Sequence, residues 1–238
     1  MSAAITLRDV RASYGSVEVL HGVTLDAPAG AVTAILGPNG AGKSTTLKAI
    51  AGLSPVRAGS VLWAGRDITK LTALQRAKAG MLLVPERRGI FPDLTVEDNL
   101  EVFSDTRDVH ESCEVAFDAF PVLRDRLPQR AGSLSGGEQQ MLAMSRVLLQ
   151  KPQVLLLDEI SFGLAPLVTQ QLFEVVTELA RSATTVLLVE QHLNDALRLA
   201  DVVYVLSRGE VVFAGEPGEL EGRAQLPGYA VARSRPSA

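Results

Sequence analysis

The sequence predicts an α/β fold, a mostly parallel sheet covered by helices on both faces. Three features carry that expectation. Continuous apolar runs such as "AVTAILG" (31–37), "QVLLLDE" (153–159) and "TTVLLVE" (184–190) lack polar alternation, as strands buried on both sides do. Helical patterns alternate with them along the second half of the chain. A glycine-rich turn, "GPNGAGKST" (37–45), joins one such strand to an apolar-periodic helix.

Taken in order, the chain opens with two strand-like runs, "AITLRDVRASYG" and "VEVLHGVTLDA", rich in alternating β-branched and apolar residues. The buried strand 31–37 follows, then the helix "KSTTLKAIAG", for which Gly52 is the stop signal. "GSVLWAG" and "GMLLVPE" read as further short strands. Between about residues 92 and 133 the pattern changes. "LTVEDNLEVFSD" and "ESCEVAFDAFPVLRDRL" are helical with no strand between them, which marks an inserted helical lobe. Alternation then resumes: helix 136–150, strand 153–159, helix about 167–181, strand 184–190, a short helix, and the strands "DVVYVLSRG" and "EVVFAGE". The tail, from about residue 224 to 238, is expected to be disordered. No internal repeat is found.

The chain has 238 residues, 47% hydrophobic, enough for one globular unit with a sizeable core. A net charge of -4 argues against a nucleic-acid surface. The single cysteine, Cys113, excludes an internal disulfide, fits a reducing compartment and reads as buried filler. The first residues contain no signal-peptide core, and every apolar run is far shorter than the roughly 20 residues of a spanning helix. These features imply a cytosolic chain whose membrane role, if any, runs through a partner.

"GPNGAGKST" fits G-x-x-x-x-G-K-[ST] and lies between a strand and a helix, the context the motif needs. The candidate ATP-binding residues are Gly37, Pro38, Asn39, Gly40, Ala41, Gly42, Lys43, Ser44 and Thr45. The glycines turn successive N–H groups inward, the helix adds its positive dipole end, Lys43 brings a charge to the β- and γ-phosphates, and Ser44 offers an oxygen to Mg²⁺. Asp158 ends an apolar strand, so its carboxylate emerges at the sheet's ligand-binding edge and can hold Mg²⁺. Glu159 comes next and points elsewhere, which suits a general base orienting the attacking water; the plainer alternative is a charge at a helix start. Together these motifs establish a Mg-nucleotide triphosphatase.

A second anion site is spelled out by "LSGGEQQ" (134–140). Ser135 can cap the following helix, while Gly136 and Gly137 leave its first N–H groups uncovered. On its own, "SGG" is better read as an ordinary cap with a flexible hinge. The unbroken run "LSGGEQQMLAMSRVLLQKPQVLLLDE", however, resembles the signature stretch of ABC-type ATPases, and the resemblance extends over about residues 5–220. It implies an ABC ATPase fold: a P-loop NTPase core with a mostly parallel sheet, an N-terminal antiparallel β subdomain and an inserted helical subdomain. Residues 1–238 would form one such domain, with about 92–133 plus 134–150 as its helical part.

The same resemblance implies that Ser135, Gly136, Gly137 and Glu138 face the nucleotide of a second subunit, so that two chains sandwich two ATP molecules. It places Tyr14 against adenine, though a lone tyrosine is more often simply packing. It makes "VPERRGIFPDLTVEDNL" (84–100) the loop that joins core to helical lobe and senses the membrane partner, with Glu86, where most members have glutamine, as a candidate ATP-binding and metal residue. In "LLVEQHLNDALRLAD" the γ-phosphate switch position falls on Gln191, with His192 one residue on as the alternative contact if a local bulge shifts the register; a one-residue slip turns a side chain by about 100° on a helix. Glu86, "GLAP" (163–166) and Ile160 in place of the usual proline point to the LivF-type branch of branched-chain amino acid uptake systems. The implied partners are a second, different ATPase chain, two permease subunits and an extracytoplasmic binding protein, with the chain held peripherally on the cytoplasmic membrane face. Other cargo (urea, amides), export, and a non-transport ABC ATPase are the alternatives.

Overall fold

The computed structural model describes residues 3–15, 17–104, 108–191 and 193–221, except for the side chains of Tyr14 and Glu221. The expected tail disorder, the adenine-stacking role of Tyr14 and the alternative role of His192 lie outside that description.

Two sheets form the frame. Strands β1 (Ala3–Tyr14), β2 (Val17–Pro28), β4 (Val56–Trp63) and β5 (Arg66–Asp67) make an antiparallel sheet in the order β2-β1-β4-β5. The second sheet runs β10-β9-β3-β8-β7-β6, from β3 (Val32–Leu36), β6 (Met81–Val84), β7 (Val154–Asp158), β8 (Thr185–Val189), β9 (Val202–Ser207) and β10 (Glu210–Gly215). It is parallel except at the β9–β10 edge.

Helix α1 (Lys43–Ala51) lies between the sheets. Helix α2 (Ala73–Lys78) follows β5; it is short, and its Thr72–Gln75 capping box is a polar signal that apolar periodicity does not reveal. Helices α3 (Val96–Phe103) and α4 (Val109–Ala119), with 3₁₀ turns over Pro121–Arg126 and Ala131–Ser133, pack against α5 (Gly136–Gln150). Then come α6 (Pro166–Arg181), α7 (Leu193–Leu199) and the short α8 (Pro217–Glu221).

The central strands serve two cores, and their residues divide by parity. Leu155, Leu157, Val186 and Leu188 pack with α3–α6 on one face. Val154, Leu156, Leu187 and Val189 pack on the other with Leu47 and Ile50 of α1 and with Leu7, Leu20 and Leu25 of the antiparallel sheet. That division explains the unbroken apolar runs and determines where side chains emerge at the strand ends.

Arg76 is 2% exposed, and its guanidinium donates to four backbone carbonyls: Leu71 at 3.1 Å, Ala49 at 2.8 Å, Ile50 at 2.5 Å and Thr69 at 3.0 Å. Ala49 and Ile50 belong to the last turn of α1, whose carbonyls have no partners within the helix. A buried cation therefore closes the far end of the helix that begins at Lys43.

Candidate nucleotide-binding site

The loop from Gly37 to Gly42 carries the chain from β3 into α1. A Cβ on Gly37 would lie 2.4 Å from the Leu206 carbonyl oxygen of β9, so the packing of this turn admits only glycine. Gly42 is the N-cap of α1 at φ 106, a left-handed conformation, and its carbonyl accepts the Thr46 N–H at 2.9 Å. Ala41 is buried, and its carbonyl accepts the Gly209 N–H at 2.9 Å, which ties the loop to the β9–β10 turn. Lys43 is 4% exposed; its ammonium donates to the carbonyls of Gly37 at 3.0 Å and Pro38 at 3.4 Å and lies 3.5 Å from Glu159 Oε1.

Asp158 continues the parity of Val154 and Leu156, so its carboxylate emerges on the α1 side of the sheet. There Oδ1 accepts the Ser44 hydroxyl at 2.8 Å. Burial pushes the Asp158 carboxyl above its ordinary range; the Ser44 hydrogen bond and Lys48 pull it down, while Glu159 and Glu86 push it further up.

Strand alternation alone would send Glu159 to the opposite face, among α3–α6. Instead the strand ends at Asp158 and Glu159 takes φ 53, a left-handed conformation that disfavours a non-glycine residue by roughly 1–2 kcal/mol. Its N–H donates to the Val189 carbonyl at 2.9 Å, and its carboxylate turns back toward Lys43. Gln191, two residues beyond β8, donates from Nε2 to Glu159 Oε2 at 2.6 Å. The divergence of the two carboxylates expected from strand alternation is cancelled by this backbone turn, and both end on the same side of the sheet.

A cavity of about 300 Å³ results, lined by Asn39, Gly40, Gly42, Lys43, Ser44, Thr45, Glu86, Glu159 and Gln191. Glu86 and Gln191, distant in sequence from the loop, both reach it. Its floor combines a hydroxyl and carboxylates with a single ammonium among the lining side chains. That donor set suits a hard divalent cation accompanied by phosphate oxygens. Among the described residues no cluster of three His, Cys, Asp or Glu side chains could hold a metal alone. Two or three oxygens supplemented by a ligand are what this site offers.

The second anion motif starts α5. Ser135 Oγ accepts the Glu138 N–H at 3.3 Å, and Glu138 Oε2 accepts the Ser135 N–H at 2.8 Å, a reciprocal capping box. The Ser135 hydrogen bond is the leading reason the Glu138 carboxyl lies below its ordinary range; Arg126, 2.9 Å away, adds to it. Gly136 and Gly137 have ordinary helical φ. A Cβ on Gly137 would meet Val168 at 3.4 Å, a normal contact, and one on Gly136 would meet the flexible end of Arg88 at 3.1 Å. Neither glycine is therefore demanded by the backbone or by severe crowding.

Three features of the surroundings were not legible from motifs. Arg88 donates to Gln139 at 2.6 Å, joining the loop after β6 to α5. Arg76 closes α1, but its partners are backbone carbonyls, which leave no mark in the sequence. Glu190 binds Ser161 in the interior; a charged residue at the end of an apolar strand, on the parity of Leu188, was the available signal.

A glycine-rich loop after β3 of a parallel sheet, a lysine and serine at the start of its helix, and a carboxylate pair at the end of β7, one strand beyond β8, define a P-loop nucleotide triphosphatase. The chain belongs to the ABC transporter family, which residues 20–161 match; it is an ATPase subunit of such a transporter. The high-affinity branched-chain amino acid transport ATP-binding protein BraG of Pseudomonas aeruginosa is 44% identical over 202 residues, 84% of this chain and 87% of its own. LivF of Archaeoglobus fulgidus, assigned to the same transport class, is 41% identical over 220 residues, 90% of this chain and 93% of its own. A crystal structure of a nucleotide-free ATP-binding cassette from an ABC transporter superposes with TM-score 0.76 at 26% identity, covering 90% of this chain and 91% of that one. Among the described residues no helix is long and apolar enough to cross a membrane.

Proposed function

We propose that this chain energises uptake of branched-chain amino acids, binding MgATP in the cavity between the Gly37–Thr45 loop and Glu86, Glu159 and Gln191. The carrying observation is that one cavity gathers Lys43, Ser44, Glu86, Glu159 and Gln191 from four separate stretches of chain. The cargo rests on the likeness to BraG and LivF, because no residue of a nucleotide-binding subunit reads the solute.

In this reading Lys43 exchanges the carbonyls of Gly37 and Pro38 for phosphate oxygens. That exchange releases Glu159 from its ion pair, and the freed carboxylate accepts a proton from the attacking water while Gln191 fixes its orientation and faces the γ-phosphate. Ser44, Asp158 and Glu86 would hold Mg²⁺, which when bound would supply positive charge to the phosphate oxygens. Tyr14 is assigned to adenine.

Ser135–Glu138 are assigned to the nucleotide of a second ATPase chain, different from this one. Residues of about 92–150 would act as the helical subdomain, and the whole of 1–238 as one ATPase domain. Two permeases and an extracytoplasmic binding protein complete the importer, which holds this chain peripherally on the cytoplasmic membrane face. ATP closes the pair because each γ-phosphate is shared, and hydrolysis lets it open; a ligand shifts such an equilibrium only through its differential affinity for the two states.

The test is reconstitution in liposomes of this chain with a partner ATPase, two permeases and a binding protein of the branched-chain amino acid uptake class. ATP-dependent accumulation of labelled leucine, lost with Lys43→Ala, is the expected result. Full ATP turnover without leucine, isoleucine or valine uptake would overturn the cargo.

A further inference from the structure

Both carboxylate oxygens of Glu190 accept from Ser161. Oε1 accepts the Ser161 N–H at 3.1 Å, and Oε2 accepts its hydroxyl at 2.7 Å. Glu190 is 1% exposed and Ser161 4%. A carboxyl group withdrawn from water needs such donors in its place.

The position of this clasp gives it meaning. Glu190 stands between Val189, whose carbonyl holds the Glu159 N–H at 2.9 Å, and Gln191, whose amide holds the Glu159 carboxylate at 2.6 Å. Ser161 lies inside the turn that Phe162 N–H closes onto the Glu159 carbonyl at 3.3 Å. Three consecutive residues at the end of β8 therefore hold Glu159 by its N–H, by its side chain and through the turn that follows it. Glu159 sits at φ 53, a conformation that persists in a glutamate only where the surroundings enforce it. If that backbone relaxed toward an extended conformation, strand alternation would carry the carboxylate to the other face of the sheet.

We infer that Glu190 and Ser161 are a positioning pair for hydrolysis: Glu190 grips Ser161 so that Glu159 keeps its left-handed backbone and its carboxylate stays in the nucleotide cavity. The inference rests on Glu159 acting as the base. Neither side chain lines that cavity, so both act through Glu159.

The experiment measures kcat and KM for ATP in the assembled transporter carrying Ser161→Ala, Ser161→Thr, Glu190→Leu or the double variant Ser161→Ala/Glu190→Leu. A displaced base lowers the rate steeply, on the order of 10²-fold for a 1 Å misplacement, so Glu190→Leu is expected to lose about that much and Ser161→Ala about tenfold. KM should stay within about twofold, because the phosphate-binding wall is untouched. The double variant should be no slower than Glu190→Leu, and Ser161→Thr should regain most of the Ser161→Ala loss.

Wild-type kcat in Ser161→Ala, losses that multiply in the double variant, or KM rising in step with the fall in kcat would each overturn the inference. If Glu190→Leu fails to fold by circular dichroism, the Ser161→Ala and Ser161→Thr pair decides alone. Glu159→Gln separates the two claims. Wild-type turnover in that variant overturns the base itself. A slow Glu159→Gln that Ser161→Ala slows further overturns only the positioning.

Discussion

Gln191 Nε2 donates to Glu159 Oε2 at 2.6 Å, and the other oxygen of that carboxylate lies 3.5 Å from Lys43 Nζ. The carboxylate is thus held between an amide and an ammonium before any substrate arrives. General-base catalysis contributes typically about 10²–10⁴-fold, so Glu159→Gln should slow phosphate release by that factor. The neutral amide leaves Lys43 and the loop intact, so binding of a fluorescent ATP analogue should persist. Two subunits that bind but do not hydrolyse should accumulate as a closed pair in ATP, visible by size-exclusion chromatography. Fast hydrolysis with no trapped pair would refute the role given to Glu159.

Asp158 supplies a prediction about pH. Its folded-state pKa lies above the ordinary 3.8, chiefly through burial. An acid shifted upward contributes stability that is complete below its unfolded value and is lost as pH rises through its folded one, so at neutral pH the ionised Asp158 works against the folded state. Asp158→Asn removes the charge and keeps an oxygen that can accept from Ser44. Without nucleotide the variant should melt above the wild type at pH 7–8, and the gap should narrow as the pH is lowered toward 4. Stabilisation by MgATP, about 2.7 kcal/mol for a ligand at 100 times its Kd, should at the same time be lost. Differential scanning fluorimetry across pH, with and without MgATP, measures both.

The parallel core and its site loop were legible because both rest on local chemistry. Two-faced strands must be apolar throughout, as "VLLL" and "VLLV" are, and a phosphate-binding turn must combine glycine, lysine and serine at set spacing. Asp158 was legible for the same reason, since a lone carboxylate at the end of a buried strand has one place to go. The conformation of Glu159 was not. A left-handed glutamate is imposed by residues far along the chain, by Val189, Gln191 and the Ser161–Glu190 clasp, and no local pattern announces it. Helix α2 escaped notice because six residues give periodicity too little length, and α8, at five, is shorter still.

Arg76 ties the antiparallel half of the molecule to the helix that carries Lys43. Arg76→Met keeps the aliphatic stem and removes every donor, leaving the Ile50 carbonyl at the end of α1 without the guanidinium and the Ala49 carbonyl with only the Gly52 N–H at 3.2 Å. Unsatisfied buried groups of this kind cost about 1–3 kcal/mol each, so a loss of about 3 kcal/mol in urea unfolding is expected. Arg76→Lys should recover only part of it, because one ammonium cannot span four carbonyls. A variant as stable as the wild type would show that water replaces the guanidinium.

Gly137 separates folding from assembly. It occupies the first turn of α5 at an ordinary helical φ, where glycine is disfavoured relative to alanine by about 0.8–1.0 kcal/mol in a helix interior. An added Cβ would touch Val168 at 3.4 Å, a normal packing distance. Among the described residues no contact requires a glycine here; on the proposed assignment, a phosphate brought against the helix start by a second subunit would require one, because the bare N–H groups need close approach. Gly137→Ala should therefore raise stability by a few tenths to about 1 kcal/mol in chemical denaturation. Binding of a fluorescent ATP analogue by the isolated chain should be unchanged, since Gly137 does not line its own nucleotide cavity. ATP-dependent association with the partner ATPase, followed by analytical ultracentrifugation in the Glu159→Gln background, should weaken by about tenfold or more, the effect of losing roughly 1.4 kcal/mol at a shared ligand. A Gly137→Ala chain that is more stable and still associates with wild-type affinity would remove the signature from the interface, whereas one that loses ATP in isolation would place Gly137 in its own site.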